Sequence, residues 1–576
     1  MNNTYFRIAY LLSIFLFSCV PAEKKQNTNE PINIHASSDA ATLNPVAARD
    51  ELSFIISMQL YQTLTAIDFN TEVLVGVIAT SAPKLSTDSL NNLLISYEIR
   101  PEASFDDGTS ITAKDVAFSL KLNVCPLINN VGGANYYGFI KEIVYRESDP
   151  LKISFKCEKA GPIYPYFSGD FAILPSHIYD PQNSLAKFSY KALLENDSLQ
   201  YNPEIIKYAQ EFNAEKYASD PNFINGSGAY QLKAWNRNKN ILIERKKEWW
   251  GEKLDNKNTF FITNAPSLNY EIINDQTTAM VALKSGKIDF LRSIPPKDYL
   301  ALQKSASSIN LRTTSINEFG YQSIGFNLNN PLLNELALRK SIAYLTPKKK
   351  IIDKIYYGQA IPTNVPLSPQ RKDLIDSTLN EYEYNIEKSK QLLKEANWQD
   401  KDNNGVLEKM IGGKIVECKL TYHYNSGNKE REAVGLILKD ELKKVGIELE
   451  VIGIEWSVYL QKLRAGEMQI FFNGTSSLPI PPDFKSSFHS ASANGGRNYA
   501  NYKNQVSDSL IEVIKTSMDP EVRKTAIKAF QNQLNQDLPY VFLLTTKEQI
   551  AYSSKLNEVP TYSVRPNFWP PELSWK

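Results

Sequence analysis

The stretch "KEREAVGLILKDELKKVGIELEVIGIEWSVYLQKLRAGEMQIFF", residues 429–472, decides the fold class because it changes periodicity three times. Apolar residues three and four apart predict a helix over 430–445, which Gly446 ends. Apolar and charged residues then alternate over 447–451 as in a strand. A second helix begins near Trp456, and "MQIFF" is typical of another strand. A strand, a helix and a strand in succession indicate a parallel crossover, so an α/β fold is predicted.

Two segments nearer the N-terminus carry equally clear local signals. In "SFDDGTSITAKDVAFSL" (104–120) a turn at Asp107-Gly108 precedes a helix that begins after Thr112, with Asp115 as its capping-box partner. The stretch "GSGAYQLKAWNRNKNILIERKKEWWGE" (226–252) predicts a hairpin, because two alternating runs flank a polar turn. Strand and helix patterns therefore mix along the chain.

Composition excludes several function classes. The 576 residues suggest two to four domains. With 64 basic and 63 acidic residues and no basic stripe, no nucleic-acid partner is predicted. The four histidines stand far apart and match no catalytic or zinc motif. The run "DKDNNG" (400–405) begins like a calcium loop, but Ile411 stands where the bidentate glutamate belongs. No catalytic residue, metal or cofactor is predicted, so the chain is not expected to be an enzyme.

Three cysteines follow the N-terminal region, at Cys125, Cys157 and Cys418. They are too sparse for a zinc cluster. If the protein is exported, Cys125 and Cys157 can form a disulfide, and buried free thiols are the alternative. Spacing alone does not establish the geometry that a disulfide needs, so both interpretations stay open.

The N-terminus resembles that of an exported bacterial lipoprotein. Residues 8–17 are mostly apolar, but a bilayer-spanning helix needs roughly 20 residues, so residues 1–18 are predicted to be a signal peptide. Leu16-Phe17-Ser18-Cys19 resembles a lipobox. This implies that Cys19 becomes the acylated first residue, whose covalently attached lipid anchors the protein in the membrane. The alternative is an ordinary signal peptide with a chance cysteine. Residues 19–30 are then a lipidated flexible tether, and the protein works in the periplasm or at the cell surface.

Nine short motifs occur in one order along the chain. They are "TLNP" (42–45), "LYQTL" (60–64), "SFDDGTSITAKDVAFSL" (104–120), "GSGAYQLKAW" (226–235), "WWGE" (249–252), "GKIDF" (286–290), "FNLNNPLLNELALRKSIAYLTPKKKII" (326–352), "KSKQLLKEANW" (388–398) and "LKKVGIELE" (442–450). Together they resemble the extracytoplasmic solute-binding proteins of peptide-type ABC importers, the oligopeptide- and dipeptide-binding proteins.

This resemblance implies a two-lobed periplasmic-binding-protein clamp with an extra inserted domain, in which mixed sheets are flanked by helices. The expected division is lobe I at 30–67, 169–291 and 540–576, the inserted domain at 68–168, and lobe II at 292–539. Such a clamp closes about its hinge when a ligand contacts both lobes.

The resemblance also implies the function. We expect a monomeric, lipid-anchored binding protein that captures peptides or a related polar solute and delivers them to an ABC importer permease. The alternative is a ligand-sensing lipoprotein of the same fold that acts in signalling. Peptide ligands in this family add as a strand between the lobes, so main-chain hydrogen bonds supply affinity.

The sequence departs from the family pattern where free peptide N-termini are bound. Family members commonly carry a tryptophan and then an aspartate after the "MQIFF" strand, whereas this chain has Thr475 and Leu478 near those places. Asp483 is either a substitute or an N-terminal helix residue. The ligand is therefore expected to be a peptide held by its main chain, or another polar metabolite, at the loop 474–477. Trp456 either contacts the ligand or packs at the start of its helix. The predicted contacts are Asp50, Glu51, Asn327, Trp456, Gly474, Thr475, Ser476, Ser477, Asn498 and Tyr499.

The lipid anchor gives a first testable prediction. Cys19→Ser removes the acylated thiol, so the variant should be released from the membrane or left uncleaved, with ligand binding unchanged. Membrane fractionation and intact-mass measurement check this. A variant that is still processed and still membrane-bound would show that Cys19 carries no anchor.

Overall fold

A computed structural model of the chain describes residues 29–130, 133–254 and 258–576, with only the backbone described at 134 and 135. The predicted signal peptide, Cys19 and nearly all of the predicted tether lie outside the described residues. Among the residues that are described, no helix has the length and apolar character needed to cross a bilayer.

Strands occur along the whole described chain. In chain order they are β1 (Ile32–Ala36), β2 (Thr65–Ile67), β3 (Leu74–Gly76), β4 (Lys84–Thr87), β5 (Leu93–Glu98), β6 (Ile140–Arg146), β7 (Asp149–Cys157), β8 (Tyr230–Asn236), β9 (Asn240–Arg245), β10 (Ser267–Ile272), β11 (Phe290–Leu291), β12 (Leu311–Asn317), β13 (Gly320–Phe326), β14 (Ala360–Pro362), β15 (Glu408–Ile411), β16 (Lys414–Glu417), β17 (Lys419–Asn425), β18 (Glu448–Ile454), β19 (Ile470–Ser476) and β20 (Tyr540–Ser553).

Helices alternate with these strands. They are α1 (Glu51–Leu60), α2 (Ala113–Val124), α3 (Gly133–Tyr137), α4 (Tyr164–Phe167), α5 (Ser176–Tyr179), α6 (Tyr190–Glu195), α7 (Pro203–Phe212), α8 (Lys216–Ser219), α9 (Gln276–Lys284), α10 (Pro296–Ser305), α11 (Leu336–Tyr344), α12 (Lys348–Lys354), α13 (Ile386–Glu395), α14 (Lys429–Lys443), α15 (Trp456–Ala465), α16 (Lys485–Phe488), α17 (Gln505–Thr516) and α18 (Pro520–Asp537).

The predicted crossover at 429–472 is confirmed. Strand β17 pairs in parallel with β18 on one side and with β19 on the other, and helices α14 and α15 make the two connections. Asn428 caps α14 by accepting a hydrogen bond from the backbone of Arg431. Gly466 ends α15 in the left-handed conformation, which costs glycine little.

One large mixed sheet runs through the molecule in the order β18-β17-β19-β13-β20-β11-β1-β10-β9-β8, with β12 and β14 also paired to β20. Strand β20 joins its two halves. Residues 540–546 pair with β13 and β14, whereas residues 547–553 pair with β12 and β11. The predicted lobe boundary at residue 540 falls at the start of this shared strand, and the division into lobes stays a prediction.

The hydrophobic cores follow the same halves of the sheet. One core is built between Ile32 and Phe290 with C-terminal residues from Ile550 onward. Two others are built between Tyr321 and Leu544, and a fourth is built between Ala279 and Leu311 together with Ala551. Because apolar burial is the main favourable term in folding, each half of the sheet is stabilised largely by its own core.

Local predictions near the N-terminus are also confirmed. The hairpin is β8 and β9, in antiparallel register. Trp249 and Trp250 are buried, and both indole N–H groups donate to the carbonyl of Ser227. Cys125 and Cys157 are buried free thiols, so the disulfide interpretation does not apply to this structure. Burial raises the pKa of each thiol to about 12.

The predicted capping box does more than cap its helix. One Asp115 oxygen accepts from the backbone N–H and the hydroxyl of Thr112, at 3.0 and 2.8 Å. The other accepts from the backbone N–H and the hydroxyl of Ser176, at 3.0 and 2.8 Å. Asp115 is buried, so it ties the start of α2 to the start of α5.

Asp115→Ala should therefore lower the free energy of unfolding by about 2–4 kcal/mol, because it leaves several buried donors without an acceptor. Urea denaturation measures this. Asp275→Ala is the matched control, since Asp275 caps the single helix α9 at an exposed site and should cost about 1 kcal/mol. Equal losses for the two variants would contradict the cross-linking role of Asp115.

Candidate ligand-binding cleft

A cavity of about 640 Å³ opens beside the C-terminal end of β19, a volume typical of ligand sites. Residues 472–478 of β19 and its following loop form one wall. Trp456, Tyr459 and Leu463 of α15 form a second wall. Ile163 and Phe167, at α4, close it from the side of the predicted inserted domain. The cavity thus lies between segments that the sequence places in different domains.

The cavity exposes an unpaired strand edge. Strand β17 pairs with β19 only at Ile470 and Phe471, so β19 runs on beyond the end of its neighbour. On the other side, the backbone N–H of Ser477 donates to Phe319. Antiparallel pairs alternate, so the N–H and C=O groups of Phe472, Gly474 and Ser476 point away from β13. These groups face the edge that β17 leaves open.

Helix α15 partly covers this edge with aromatic side chains. The hydroxyl of buried Tyr459 donates to the carbonyl of Phe472 at 2.6 Å, which satisfies the first outward carbonyl. Trp456 stacks on Tyr459, with ring centroids 6.0 Å apart and planes 9° apart. It is 51% exposed and lines the cavity, so it both packs at the helix start and presents an aromatic face. The outward groups of Gly474 and Ser476 remain open to the cavity.

The charged side chains in the cavity lining are mostly positive. Arg371, Arg431 and Arg497 line it, together with Asp483. Asp483 accepts a hydrogen bond from the backbone N–H of Lys485 at 2.8 Å, at the start of α16. Asp483 therefore lies just before a helix and also lines the cavity, which are the two positions that the sequence left as alternatives.

A second cavity of about 360 Å³ adjoins the first and shares Phe167, Leu478 and Ile480 with it. Its lining is mainly apolar, and it includes Phe54, which is 53% exposed. An apolar compartment next to a polar strand edge suits a ligand with a polar backbone and apolar side chains.

Asp170 is the acidic group of this second cavity. Its carboxylate accepts hydrogen bonds from the hydroxyls of Tyr136 at 2.6 Å and Tyr137 at 3.3 Å. Burial disfavours the charged form and outweighs these hydrogen bonds, so it raises the pKa of Asp170 to about 7.

The structure brings six of the ten sequence-predicted contacts to the main cavity. They are Trp456, Gly474, Thr475, Ser476, Ser477 and Tyr499. Tyr499 stands edge-on to Phe471, with ring centroids 6.5 Å apart.

Asp50 and Glu51 do not line either cavity. Asp50 caps α1 and accepts from the backbone N–H of Ser53 at 2.8 Å. Glu51 accepts from the guanidinium of Arg292 at 2.7 Å. An acidic pair after the "TLNP" turn is used here for capping and ion pairing.

Asn327 and Asn498 are also held away from the cavity lining, because their carboxamides are buried and hydrogen-bonded to the protein. Asn327 donates to the carbonyl of Gly466 at 2.8 Å and accepts from Asn501 at 3.0 Å. Asn498 donates to the carbonyl of Tyr502 at 2.8 Å and accepts from its N–H at 3.1 Å. Both asparagines position the loops beneath the cleft.

Sequence reasoning missed the arginines and Asp170. Arg431 carried a usable signal, since it lies in the first turn of α14, where the helix dipole disfavours positive charge. Arg371 and Asp170 lie in loops with no motif around them, and Arg497 directly precedes the predicted contacts Asn498 and Tyr499. Only the tertiary fold brings them to the cavities.

Residues 73–497 match the sequence pattern of the family described as bacterial extracellular solute-binding proteins, family 5. The chain belongs to this family. Its members bind solutes, which confirms the prediction that the chain is not an enzyme.

Several known proteins are similar to this chain over more than half of their own length. The oligopeptide-binding protein AppA of Bacillus subtilis is 26% identical over 567 residues, which cover 95% of this chain and 94% of AppA. The dipeptide-binding protein of Escherichia coli is 24% identical over 343 residues, 59% of each chain.

Solved structures confirm the predicted fold class. The structure of B. subtilis AppA in complex with a nonapeptide superposes with a TM-score of 0.70 at 23% identity, covering 95% of this chain and 99% of that one. NikA of Brucella suis, in complex with Fe(III)-EDTA, gives 0.72 at 16% identity, covering 95% and 100%. This protein therefore shares the mixed α/β fold of the family.

The raised pKa of Asp170 predicts a pH-dependent stability. The folded protein holds a proton at Asp170 between about pH 4 and pH 7 that the unfolded chain does not hold. The stability from this group is therefore complete below about pH 4 and is lost as pH rises through about 7. Asp170→Asn stays neutral, so its stability relative to wild type should rise by about 1–3 kcal/mol from pH 5 to pH 8.

Urea denaturation at both pH values measures the difference. Asp197→Asn is the control, because Asp197 is exposed and should show no such trend. A relative stability of Asp170→Asn that does not change with pH would contradict the raised pKa.

Proposed function

We propose that this protein captures a peptide, or a related polar solute, in the cleft beside β19 and delivers it to an ABC importer permease. The observation that carries the proposal is the open edge of β19 at Gly474 and Ser476, inside a cavity of about 640 Å³. An extended peptide can add to such an edge as a further strand, with its main chain hydrogen-bonded to the protein.

Relatives support a peptide ligand. B. subtilis AppA is described as an oligopeptide-binding protein and has been seen with a nonapeptide. DppA of Helicobacter pylori is described as an ABC transporter-associated periplasmic binding protein in complex with the peptide STSA. The match to AppA spans nearly the whole of both chains, so the same overall architecture serves here.

Capture works through closure of the predicted lobes about β20. A ligand that contacts both the β19 wall and the Phe167 side binds the closed form better than the open form. It shifts the equilibrium toward closure by that difference in affinity. The permease then distinguishes the closed form from the open one. The acylated Cys19 and the tether at 19–30 keep the clamp near the membrane.

The ligand is held by its main chain and not by its ammonium group. Thr475 and Leu478 line the cavity near the places where the family pattern has a tryptophan and an aspartate. Asp483 is the acidic residue in this lining, and it is exposed. An exposed carboxylate is a weak partner for an ammonium ion, because water competes for both charges.

Gly474→Pro tests the strand-edge proposal. Proline removes the outward N–H of residue 474, and an edge position tolerates it because that N–H is not bonded to β13. The affinity for peptides should fall about tenfold, the value of one lost hydrogen bond. Gly474→Ala is the matched control, since it keeps the N–H. Its Cβ would lie 3.2 Å from Arg431 Nη2, a tight contact that a small shift at the end of this flexible side chain relieves.

The probe is an equimolar pool of synthetic four- and nine-residue peptides, the lengths seen with DppA and AppA. Retained peptides are separated by gel filtration and quantified by mass spectrometry. N-acetylating the pool should change retention little. A large loss on acetylation would contradict main-chain capture, and equal retention by the proline and alanine variants would contradict the strand edge.

A further inference from the structure

The second cavity contains one carboxylate that no cation of the described chain neutralises. Asp170 and Arg565 are the two residues of its described lining that can carry a charge at neutral pH. Arg565 donates to a carboxylate oxygen of Glu318 at 2.9 Å, so its charge is paired. Among the residues that the structure describes, no lysine, arginine or histidine forms an ion pair with Asp170. The protein holds this carboxylate with tyrosine hydroxyls instead.

These two hydroxyls fix the carboxylate of Asp170 without saturating it. Tyr136 donates to Oδ2 at 2.6 Å, and Tyr137 donates to Oδ1 at 3.3 Å. A carboxylate can accept about four hydrogen bonds, so each oxygen keeps capacity for a further donor. Asp170 is partly exposed and lines the cavity. A donor that enters the cavity can therefore reach an acceptor whose position is already set.

The rest of the lining suits the stem of a long side chain. Phe54 is 53% exposed there, and Tyr136 packs on Phe167 with ring centroids 4.7 Å apart. An apolar cavity of about 150 Å³ holds one benzene ring. The second cavity, at about 360 Å³, thus has room for a long side chain together with water. Methylene stems bury well on apolar surface, and aromatic faces attract cations.

The mouth of this cavity lies close to the open edge of β19. Leu478 lines both cavities and follows Ser476 by two residues, which is at most about 7 Å of chain. A peptide bonded at Gly474 and Ser476 would therefore pass this mouth, and one of its side chains could enter. Arginines line the main cavity, so a basic side chain is better placed in the second one.

We infer that Asp170 binds the cation of a basic ligand side chain, so that the second cavity selects peptides with a lysine or arginine beside the β19 edge. The cation would form a charge-assisted hydrogen bond with the carboxylate, while its stem packs against the apolar wall. The inference rests on the proposed capture of peptides along that edge. It concerns a side chain of the ligand and not its N-terminal ammonium group.

Protonation of Asp170 makes this selection depend on pH. Burial raises the pKa of Asp170 to about 7. It also raises the pKa of Tyr136 and Tyr137, so both hydroxyls stay neutral, and Arg565 stays paired with Glu318. A bound cation favours the charged carboxylate, whereas a proton removes its charge. The selection for basic side chains should be complete well above pH 7 and should be lost as pH falls below 7.

The test uses an equimolar pool of four- and nine-residue peptides with two matched contrasts. Every peptide is present with lysine and with norleucine at one position, which differ only in the ammonium group, and with a free and an acetylated N-terminus. At pH 8, wild-type protein should retain the lysine forms about tenfold to a hundredfold better, whichever N-terminus they carry. At pH 5 this preference should largely disappear. Gel filtration followed by mass spectrometry measures both ratios.

Three variants assign the preference to Asp170. Asp170→Asn should abolish both the preference for lysine and its pH dependence. Asp170→Glu should keep part of the preference, because it retains the charge on a longer stem. Asp197→Asn is the charge-matched control and should change neither, since Asp197 is exposed and lines neither cavity. Thermal unfolding checks that each variant folds, and the pH dependence of the wild-type preference decides the question if Asp170→Asn does not.

The outcomes separate this inference from the proposed function. Three results would overturn the role of Asp170 and leave peptide capture standing: equal retention of lysine and norleucine forms at pH 8, a preference that N-acetylation removes, or an unchanged preference in Asp170→Asn. A wild-type preference that is the same at pH 5 and pH 8 would overturn it as well. Retention of no peptide by wild-type protein would overturn both proposals.

Discussion

The hydrogen bonding of β20 is the constraint on which the rest of the molecule depends. Its first residues complete the sheet of β13 and β14, and its last residues complete the sheet of β11 and β12. Because backbone groups must be paired when buried, neither half of the sheet can form fully without this strand. At its middle, buried Glu548 accepts from Ser293 and lies 3.6 Å from Arg292. Tyr540 and Phe542 of this shared strand also line the main cavity.

The candidate site follows from the offset between two strands of equal length, β17 and β19, which pair only at Ile470 and Phe471. Strand β17 stops pairing with β19 at Phe471, and the chain turns into α14 soon after. The same turn that frees the edge of β19 brings Arg431 beside Gly474, and α15 returns along the edge with Tyr459 and Trp456. Open backbone groups, a cation and an aromatic wall thus arise together from one βαβαβ segment. This segment is also the clearest pattern in the sequence.

How much of this could be predicted depends on how local each interaction is. The capping box at Thr112 and Asp115, the hairpin at 230–245 and the end of α14 just before Gly446 depend on neighbouring residues, and the structure has all of them. Asn327 and Asn498 were predicted to contact the ligand. Instead, the carboxamide of Asn327 donates to the distant carbonyl of Gly466, and that of Asn498 donates to the carbonyl of Tyr502 in its own loop. The periodic pattern of apolar residues in the sequence does not identify such hydrogen-bond partners. Asp170 and the loop arginines were missed for the same reason.

The sequence by itself determined the α/β class, the family and the stretch 474–477 as part of the cleft, because periodicity, capping and motif order are properties of the linear chain. The tertiary structure alone decided which backbone groups stay unpaired and which charges face them. Pairing partners come from residues far apart in the chain, as β19 and β13 do. Burial, which raises the pKa of Asp170, exists only once those distant segments have packed.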